Sequence, residues 1–188
     1  MNVTEYTLEI VGELQRSAKL MLGTSSTGSE ALVEAIIQSR KIFVAGAGRS
    51  GLMVKAFAMR LMHLGLDVHV VGETVTPGLG KEDLLLIASG SGETKSLLSM
   101  AKKAKELEAK LAIVTIYPES TIGRLADIKI RLPGSPKDQS ESSYHTIQPM
   151  GSLFEQTLLI FFDATILSLM EKQGLDSSSM YGNHANLE

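Results

Sequence analysis

Hydroxyl side chains and glycines alternate directly after the apolar run LLLIA, in the stretch SGSGET. Its six residues are Ser89, Gly90, Ser91, Gly92, Glu93 and Thr94. The glycines let the main chain approach a ligand closely, and the helical pattern that begins near Glu93 adds the positive N-terminal end of a helix. A phosphate monoester, with its several acceptor oxygens, fits these hydroxyl and amide donors. We therefore predict a phosphate-binding turn, with hydroxyls that only cap the helix as the alternative.

A second glycine-rich stretch, GAGRSG at residues 46–51, also joins an apolar run to a helical pattern. It matches the G-x-G-x-x-G fingerprint of dinucleotide-binding loops, and Glu73 lies where that fingerprint needs an acid for the ribose. Arg49 argues against a nucleotide, because its bulky cation stands where nucleotide loops keep small side chains. We expect Arg49 to face the crevice and hold an anion with its planar fork of donors. A salt bridge to a neighbouring acid is the structural alternative.

Glu155 is the candidate for acid–base chemistry. It lies near the start of an apolar helical pattern, and the seven residues after it, QTLLIFF, carry no charge. Apolar surroundings would make a carboxylate a stronger base. The structural alternative is a capping box over SLFE, in which Glu155 returns to the main-chain amide of Ser152.

Short apolar runs alternate with helical patterns after residue 40, and the runs are continuous rather than alternating in polarity. This arrangement predicts a parallel sheet with helices on both faces. The predicted strands are 41–46, 67–73, 84–89, 111–117 and 127–132, the last at an edge of the sheet. Both glycine-rich turns then follow strands, at the carboxyl ends where such sheets bind ligands. We expect the two turns to face one crevice.

The helical patterns lie on both sides of the predicted sheet in sequence. The pattern predicts two helices before the first strand, at residues 4–22 and 29–39. The break GTSSTG separates them, and Ser29 is the predicted N-cap of the second helix. Residues 133–151 show no periodicity and predict a loop.

The first helix and the apolar helix at 152–170 carry more apolar surface than a small sheet needs, which indicates a dimer or tetramer.

Composition excludes several classes of function. The net charge of −3 gives no basic excess for nucleic acid or an anionic membrane. The chain has no cysteine, so disulfides and thiolate metal sites are excluded, and its four histidines lack metal-site spacing. The N-terminus does not resemble a signal peptide, and the longest apolar stretch is shorter than a membrane span and carries Asp163. We expect a single cytoplasmic domain over 1–188, without metal or membrane attachment.

Five motifs carry a family resemblance, in chain order GAGRSG, AMRLMHLG, SGSGET, QPMGSLFEQ and HANLE. Together they resemble the sugar isomerase (SIS) phosphosugar-binding domains over residues 3–188. The resemblance implies a three-layer αβα sandwich with a five-stranded parallel sheet of flavodoxin-like topology, assembled as a tetramer. Within the family, the motifs are similar to isomerases that interconvert 3-hexulose 6-phosphate and fructose 6-phosphate in the ribulose monophosphate route of formaldehyde fixation. That route couples such an isomerase to a 3-hexulose-6-phosphate synthase, and the reaction needs no cofactor.

The resemblance also implies roles for single residues. The phosphate loop of the family matches Ser89 to Thr94, and its other sugar-contacting turn matches Gly48, Arg49 and Ser50. An acid at the position of Glu155 is the base. In related isomerases a histidine near the chain end reaches a neighbouring subunit's site, and His184 in HANLE matches it, either for proton traffic between the sugar oxygens or for ring opening in reverse. Another phosphosugar isomerase and a non-catalytic phosphosugar sensor remain as alternatives.

Overall fold

Five parallel strands form one sheet in the computed structural model, which describes residues 1–21, 26–135 and 145–187. The strands are β1 (Ile42–Gly46), β2 (Val68–Val70), β3 (Leu84–Ala88), β4 (Lys110–Thr115) and β5 (Ile128–Arg131). They lie in the order β2-β1-β3-β4-β5, and every neighbouring pair is parallel. This is the flavodoxin-like order, with β5 at an edge as predicted.

Helices connect the strands and extend beyond the sheet at both ends of the chain. They are α1 (Val3–Met21), α2 (Ser26–Gln38), α3 (Gly48–His63), α4 (Lys95–Glu106), α5 (Thr121–Leu125), α6 (Ser152–Gln173) and α7 (Ser177–Tyr181). The prediction of Ser29 as an N-cap is wrong, because α2 already begins at Ser26. Parts of the predicted break before α2 and of the predicted loop before α6, residues 22–25 and 136–144, lie outside the described residues.

Alternate residues of the three central strands, β1, β3 and β4, face two separate hydrophobic cores. On one face, β-strand residues such as Val44 and Leu86 pack with α2, α3 and α6. On the other face, residues such as Phe43 and Leu85 pack with α4 and α5. Burial on both faces explains why β1, β3 and β4 are continuously apolar in sequence, whereas the edge strand β5 alternates buried isoleucines with exposed Lys129 and Arg131. The three-layer αβα architecture is therefore confirmed.

Helix α6 is long and apolar because it is a core helix. By length and composition it could cross a membrane, yet 56% of its most apolar window is buried inside the protein. Phe154, Leu158 and Phe162 contribute to the core under the sheet. Its apolar character is thus explained by its packing against the sheet and α3.

Glu13 on α1 has its carboxylate buried against the segment that leads into α6. It accepts hydrogen bonds from the Thr146 hydroxyl (2.6 Å), the Ile147 amide (2.9 Å) and the Gln148 side-chain amide (2.9 Å). Burial by itself raises the pKa of this carboxyl. The three bonds and the nearby Arg16 charge outweigh burial, so the pKa of Glu13 lies below its ordinary value of 4.5. The ionised carboxylate thereby fastens α1 to the entrance of α6.

Replacing Glu13 with Gln is expected to lower the free energy of unfolding by about 2 kcal/mol near neutral pH, because buried donors lose a charged acceptor. Since the folded pKa of Glu13 is depressed, its stabilisation is complete well above pH 4.5 and is lost as the pH falls through the folded pKa. Acidification should therefore destabilise Glu13→Gln less than the wild-type protein in thermal unfolding. Glu9→Gln, on the same helix but 45% exposed, is the control and should change little. Equal acid sensitivity of wild type and Glu13→Gln would contradict this role.

Candidate active site

A cavity of about 310 Å³ opens at the carboxyl ends of the strands, where the sequence places its two glycine-rich turns. It is lined by the turns after β1 and β3, the chain after β4 and β5, and the first residues of α4 and α6. The lining residues are Ala47, Ser50, Ala88, Ser89, Gly90, Ser91, Thr94, Leu97, Ile116, Ser135, Gly151, Phe154 and Glu155. The two turns therefore face one crevice, as predicted.

The turn after β3 keeps the hydroxyl groups of Ser91 and Thr94 available to donate to a ligand. Thr94 is the N-cap of α4, yet its side chain makes no capping hydrogen bond. Its hydroxyl lies 3.4 Å from that of Ser89 instead. Ser91 is exposed and accepts a hydrogen bond from the Glu93 amide at 3.2 Å. The alternative in which these hydroxyls cap the helix therefore does not hold for Thr94.

Two residues of the same turn build its shape. The buried hydroxyl of Ser89 accepts a hydrogen bond from the Gly92 amide at 3.1 Å. Gly92 has φ +64, and a Cβ there would lie 1.9 Å from Ser120 Oγ. Only glycine fits this position, so the turn is held against the N-terminus of α5.

Glu93 does not line the cavity and faces α5. Its carboxylate accepts a hydrogen bond from the Thr121 amide at 2.6 Å. The pKa of Glu93 is lowered chiefly by the hydrogen bond from the Thr121 main-chain amide. The hydrogen bond from the Thr121 side chain and the charge of Arg124 lower it further. The structure therefore gives Glu93 a contact that fixes α5 beside the turn, and no contact with the cavity.

Glu155 lies in the first turn of α6 and its carboxylate meets the side chain of Arg49. Glu155 is 6% exposed, and Arg49 Nε lies 3.1 Å from its Oε2. Arg49 also donates from Nη1 to Ser152 Oγ at 3.0 Å. The arginine side chain remains 56% exposed. Arg49 thus makes the salt bridge that was the structural alternative in the sequence analysis. Its partner in that salt bridge is Glu155, the candidate base at the rim of the cavity.

The capping box predicted as the alternative for Glu155 does not form. Gly151 is the N-cap of α6, and the Ser152 amide donates to the carbonyl of Pro149 at 3.2 Å. The expected apolar setting is also only partly right, because Glu155 is buried but faces a guanidinium. Met150, just before the helix, has φ +55, a left-handed conformation unusual for a residue with a side chain.

The glycines of GAGRSG serve the packing of β1 against α3. A Cβ on Gly51 would lie 2.8 Å from the carbonyl oxygen of Gly46, and Gly48 has φ +57. Glu73, the acid required for a dinucleotide, instead pairs with Lys55 at 2.7 Å. The match to the dinucleotide fingerprint is therefore explained by close strand–helix packing. Of the predicted turn residues, Ser50 lines the cavity, while Gly48 and Arg49 flank it.

His184 lies in a different cavity, of about 470 Å³, that also contains Arg60, His63 and Asp163. Its ring stacks on that of His63, with the centroids 5.4 Å apart. Burial, Arg60 and His184 lower the pKa of His63. Arg60 and His63 are in the last turn of α3, whereas Arg49 is in its first, so about 20 Å of helix separates the two cavities. The structure does not bring His184 to the Glu155 of its own chain.

Three polar residues near the cavity were not predicted. Ser152 supports Arg49, Thr115 donates to the carbonyl of Gly90 at 3.1 Å, and Ser135 lines the cavity itself. Ser152 was visible only as part of a capping box, and Ser135 lies in a stretch predicted as loop. Among the described residues, no group of three or more His, Asp or Glu side chains could hold a metal ion.

The family can now be stated from comparison with known proteins. A family model described as the SIS domain matches residues 35–160, more than half of the chain. The chain belongs to the SIS family. The cavity, the turn after β3 and the start of α6 all lie within the matched SIS region.

Individual relatives indicate which kind of SIS protein this chain resembles. This SIS protein is 60% identical over 188 residues, the whole of both chains, to the 3-hexulose-6-phosphate isomerase of Bacillus subtilis (strain 168). It is 43% identical over 157 residues to the 3-hexulose-6-phosphate isomerase of Mycobacterium gastri, across 84% of this chain and 78% of that one. A crystal structure from Methanococcus jannaschii, with an inferred function of 3-hexulose-6-phosphate isomerase, matches with a TM-score of 0.83 and 36% identity, covering 98% of this chain and 99% of that one. The SIS resemblance and fold predicted from the motifs are confirmed.

Proposed function

We propose that this SIS protein is an isomerase that interconverts D-arabino-hex-3-ulose 6-phosphate and D-fructose 6-phosphate. The full-length identity to a 3-hexulose-6-phosphate isomerase supports the reaction. One observation of the structure carries the proposal: the buried carboxylate of Glu155 lies in the same cavity as the hydroxyl-rich turn after β3. A phosphate held by that turn keeps the sugar chain within reach of a base.

The reaction moves a ketone from C3 to C2 by proton transfer. In the proposed mechanism, the Glu155 carboxylate removes the proton on C2, and the electron pair of that C–H bond forms the C2–C3 double bond of an enediolate. The negative charge collects on O3. A proton passes from O2 to O3, the protonated Glu155 returns its proton to C3, and the C2 ketone forms. One carboxylate positioned near both carbons is sufficient for this sequence.

Arg49 has two parts in this proposal. In the unliganded site, its Nε lies 3.1 Å from the Glu155 carboxylate and orients it towards the cavity. A guanidinium carries five N–H donors, and the contacts with Glu155 and Ser152 engage only two of its nitrogens. The remaining donors are available to the enediolate oxygens, where a preorganised cation stabilises developing charge. Ser152 fixes the orientation of this fork.

The substrate of the forward reaction is expected to be open-chain. Because O6 carries the phosphate, no five-membered ring can close on C3 of the 3-hexulose. The forward reaction therefore needs a phosphate site, a base and donors for two oxygens, which this cavity supplies. Ring opening is needed only for fructose 6-phosphate in the reverse direction.

We also propose that the chain forms a homo-oligomer, a tetramer or a dimer, and that His184 acts in a neighbouring subunit. Glu13 and Ser17 are the buried residues of α1, while its Val3, Leu8 and Val11 are more than half exposed. A helix that buries polar residues and exposes apolar ones needs a further partner for its apolar face. Light scattering should therefore give a mass above the 20.2 kDa of one chain.

A mixing experiment tests the place of His184. If His184 acts across a subunit boundary, Glu155→Gln is inactive, His184→Ala loses activity at least in the reverse direction, and refolding the two together restores part of the lost reverse activity. Hybrid oligomers then contain sites with both wild-type residues. A His184→Ala variant that keeps full activity in both directions would remove this role.

The reaction itself is tested with a coupled assay. Formaldehyde, ribulose 5-phosphate and a purified 3-hexulose-6-phosphate synthase generate the substrate, and fructose 6-phosphate is followed through NADPH formation by coupling enzymes. Dependence of the NADPH signal on this protein is the expected result, and it fits a cytoplasmic role beside that synthase. Tight binding of sugar phosphates without turnover would indicate a phosphosugar sensor instead. A spectral change on titration with NADH would favour an oxidoreductase.

A further inference from the structure

Ser135 carries a buried hydroxyl on the wall of the cavity, and no residue that the structure describes is its hydrogen-bond partner. The residue follows β5 and is 1% exposed. Its Oγ makes no hydrogen bond to any described residue, whereas the hydroxyl of Ser89 on the same cavity wall binds a main-chain amide. A buried polar atom without a hydrogen bond is costly and is uncommon in folded proteins. Such a group in a ligand cavity indicates a partner supplied by the ligand.

The position of Ser135 differs from that of the phosphate-binding turn. A Cβ on Gly90, in the turn, would lie 3.3 Å from the ring edge of Phe154. A Cβ on Gly134 would lie 2.8 Å from Cβ of Phe154 and 3.1 Å from its Cα. The turn therefore lies along the edge of the Phe154 ring, and the residue before Ser135 lies against the main-chain end of that side chain. Glu155 is the next residue along α6, so the segment that carries Ser135 packs against the first turn of the helix that carries the base, and both residues line the cavity.

The glycine before Ser135 shows that this placement is a close fit. Any side chain at Gly134 would collide with the main chain of Phe154. The absence of a side chain there allows the segment after β5 to lie directly against the first turn of α6. This contact carries Ser135 into the cavity rather than onto the surface.

We propose that Ser135 is a substrate-binding residue whose hydroxyl hydrogen-bonds an oxygen of the sugar chain, near the reacting carbons rather than at the phosphate. This proposal rests on the proposed isomerase function. The turn after β3 already offers hydroxyl and amide donors to the phosphate, while the sugar chain extends from it towards Glu155. The hydroxyl of Ser135 both donates and accepts, so a sugar hydroxyl or ketone oxygen satisfies it.

The test compares Ser135→Ala with the wild-type protein by calorimetry, using fructose 6-phosphate and inorganic phosphate as ligands. We expect about tenfold weaker binding of fructose 6-phosphate, as for one lost hydrogen bond, and unchanged binding of inorganic phosphate. The melting temperature should stay equal or rise, because the substitution removes an unsatisfied buried hydroxyl. A residue with a merely structural role would instead lower the melting temperature and leave the ratio of the two affinities unchanged.

Thr157→Val is the matched control. Thr157 is on α6, is 3% exposed and also has a hydroxyl without a described partner, but it does not line the cavity. Its replacement should preserve or raise stability and leave both affinities unchanged. Unchanged binding of fructose 6-phosphate by Ser135→Ala, or an equal loss for inorganic phosphate, would overturn the proposal. A wild-type protein that binds fructose 6-phosphate but does not convert the 3-hexulose would contradict the proposed reaction. The comparison of ligand binding by Ser135→Ala and the wild-type protein would still test the role of Ser135.

Discussion

Glu155→Gln is expected to lower kcat by about a thousandfold or more, the scale of a lost general base, while sugar phosphate still binds. The amide keeps the shape of the side chain and its acceptor oxygen for Arg49, but it cannot take a proton from C2. Exchange of the C3 proton of fructose 6-phosphate with deuterated water, followed by NMR, measures the same proton transfer in the reverse direction. Loss of exchange with little change in binding is the expected result.

The structure offers a matched control for this substitution. Glu73 follows β2 at the same edge of the sheet and also pairs with a cation, Lys55, but it does not line the cavity. Glu73→Gln should therefore leave kcat and proton exchange unchanged. If Glu155→Gln still exchanged the C3 proton of fructose 6-phosphate at the wild-type rate, another group would have to be the base, and the proposed roles of Arg49 and Ser152 would fall with it.

Sequence patterns predicted those parts of the site that depend on neighbouring residues. The glycines and hydroxyls of SGSGET determine a turn whatever the rest of the chain does, since Gly92 needs φ +64 and Ser89 binds the amide three residues on. The parallel sheet follows from the alternation of buried runs and helices, whereas its strand order was implied by the family resemblance. These features were accordingly predicted close to where the structure has them.

Contacts between distant segments escaped prediction for a physical reason. Arg49 and Ser152 are 103 residues apart, so only the packing of α3 against α6 brings the guanidinium to the acid. The local pattern at Ser152 favoured a capping box equally well. Ser135 was missed because a Pro- and Gly-rich stretch indicates a loop, while its burial depends on the contact of Gly134 with Phe154.

Helix α1 shows that apolar periodicity predicts the presence of a helix but not which of its residues are buried. Its apolar residues recur at helical spacing, yet Leu8 and Val11 are exposed and Glu13 and Ser17 are buried. Hydrogen bonds to the segment before α6 explain the buried acid. Within one chain the apolar stripe has no core to enter, which is why the pattern fits the proposed oligomer better than the isolated subunit.

Removing two hydroxyls of the phosphate-binding turn should weaken the protein's grip on its substrate without unfolding it. The double substitution Ser91→Ala and Thr94→Ala leaves intact the bond between Ser89 and the Gly92 amide that shapes the turn. Each hydroxyl lost to a dianionic phosphate should raise KM about tenfold, so the pair should raise it about a hundredfold. Steady-state kinetics with the coupled assay and inhibition by inorganic phosphate both measure this effect.

The control for that substitution removes two hydroxyls from α4, the helix that follows the turn, at positions away from the cavity. Ser96 and Ser99 are exposed on α4, and Ser99 donates only to the carbonyl of Lys95. Ser96→Ala with Ser99→Ala should therefore leave KM unchanged. Because Thr94 makes no capping bond, the loss of its hydroxyl should also leave the melting temperature nearly unchanged. A lower melting temperature with an unchanged KM would mean that these hydroxyls serve the helix, and that the phosphate binds elsewhere.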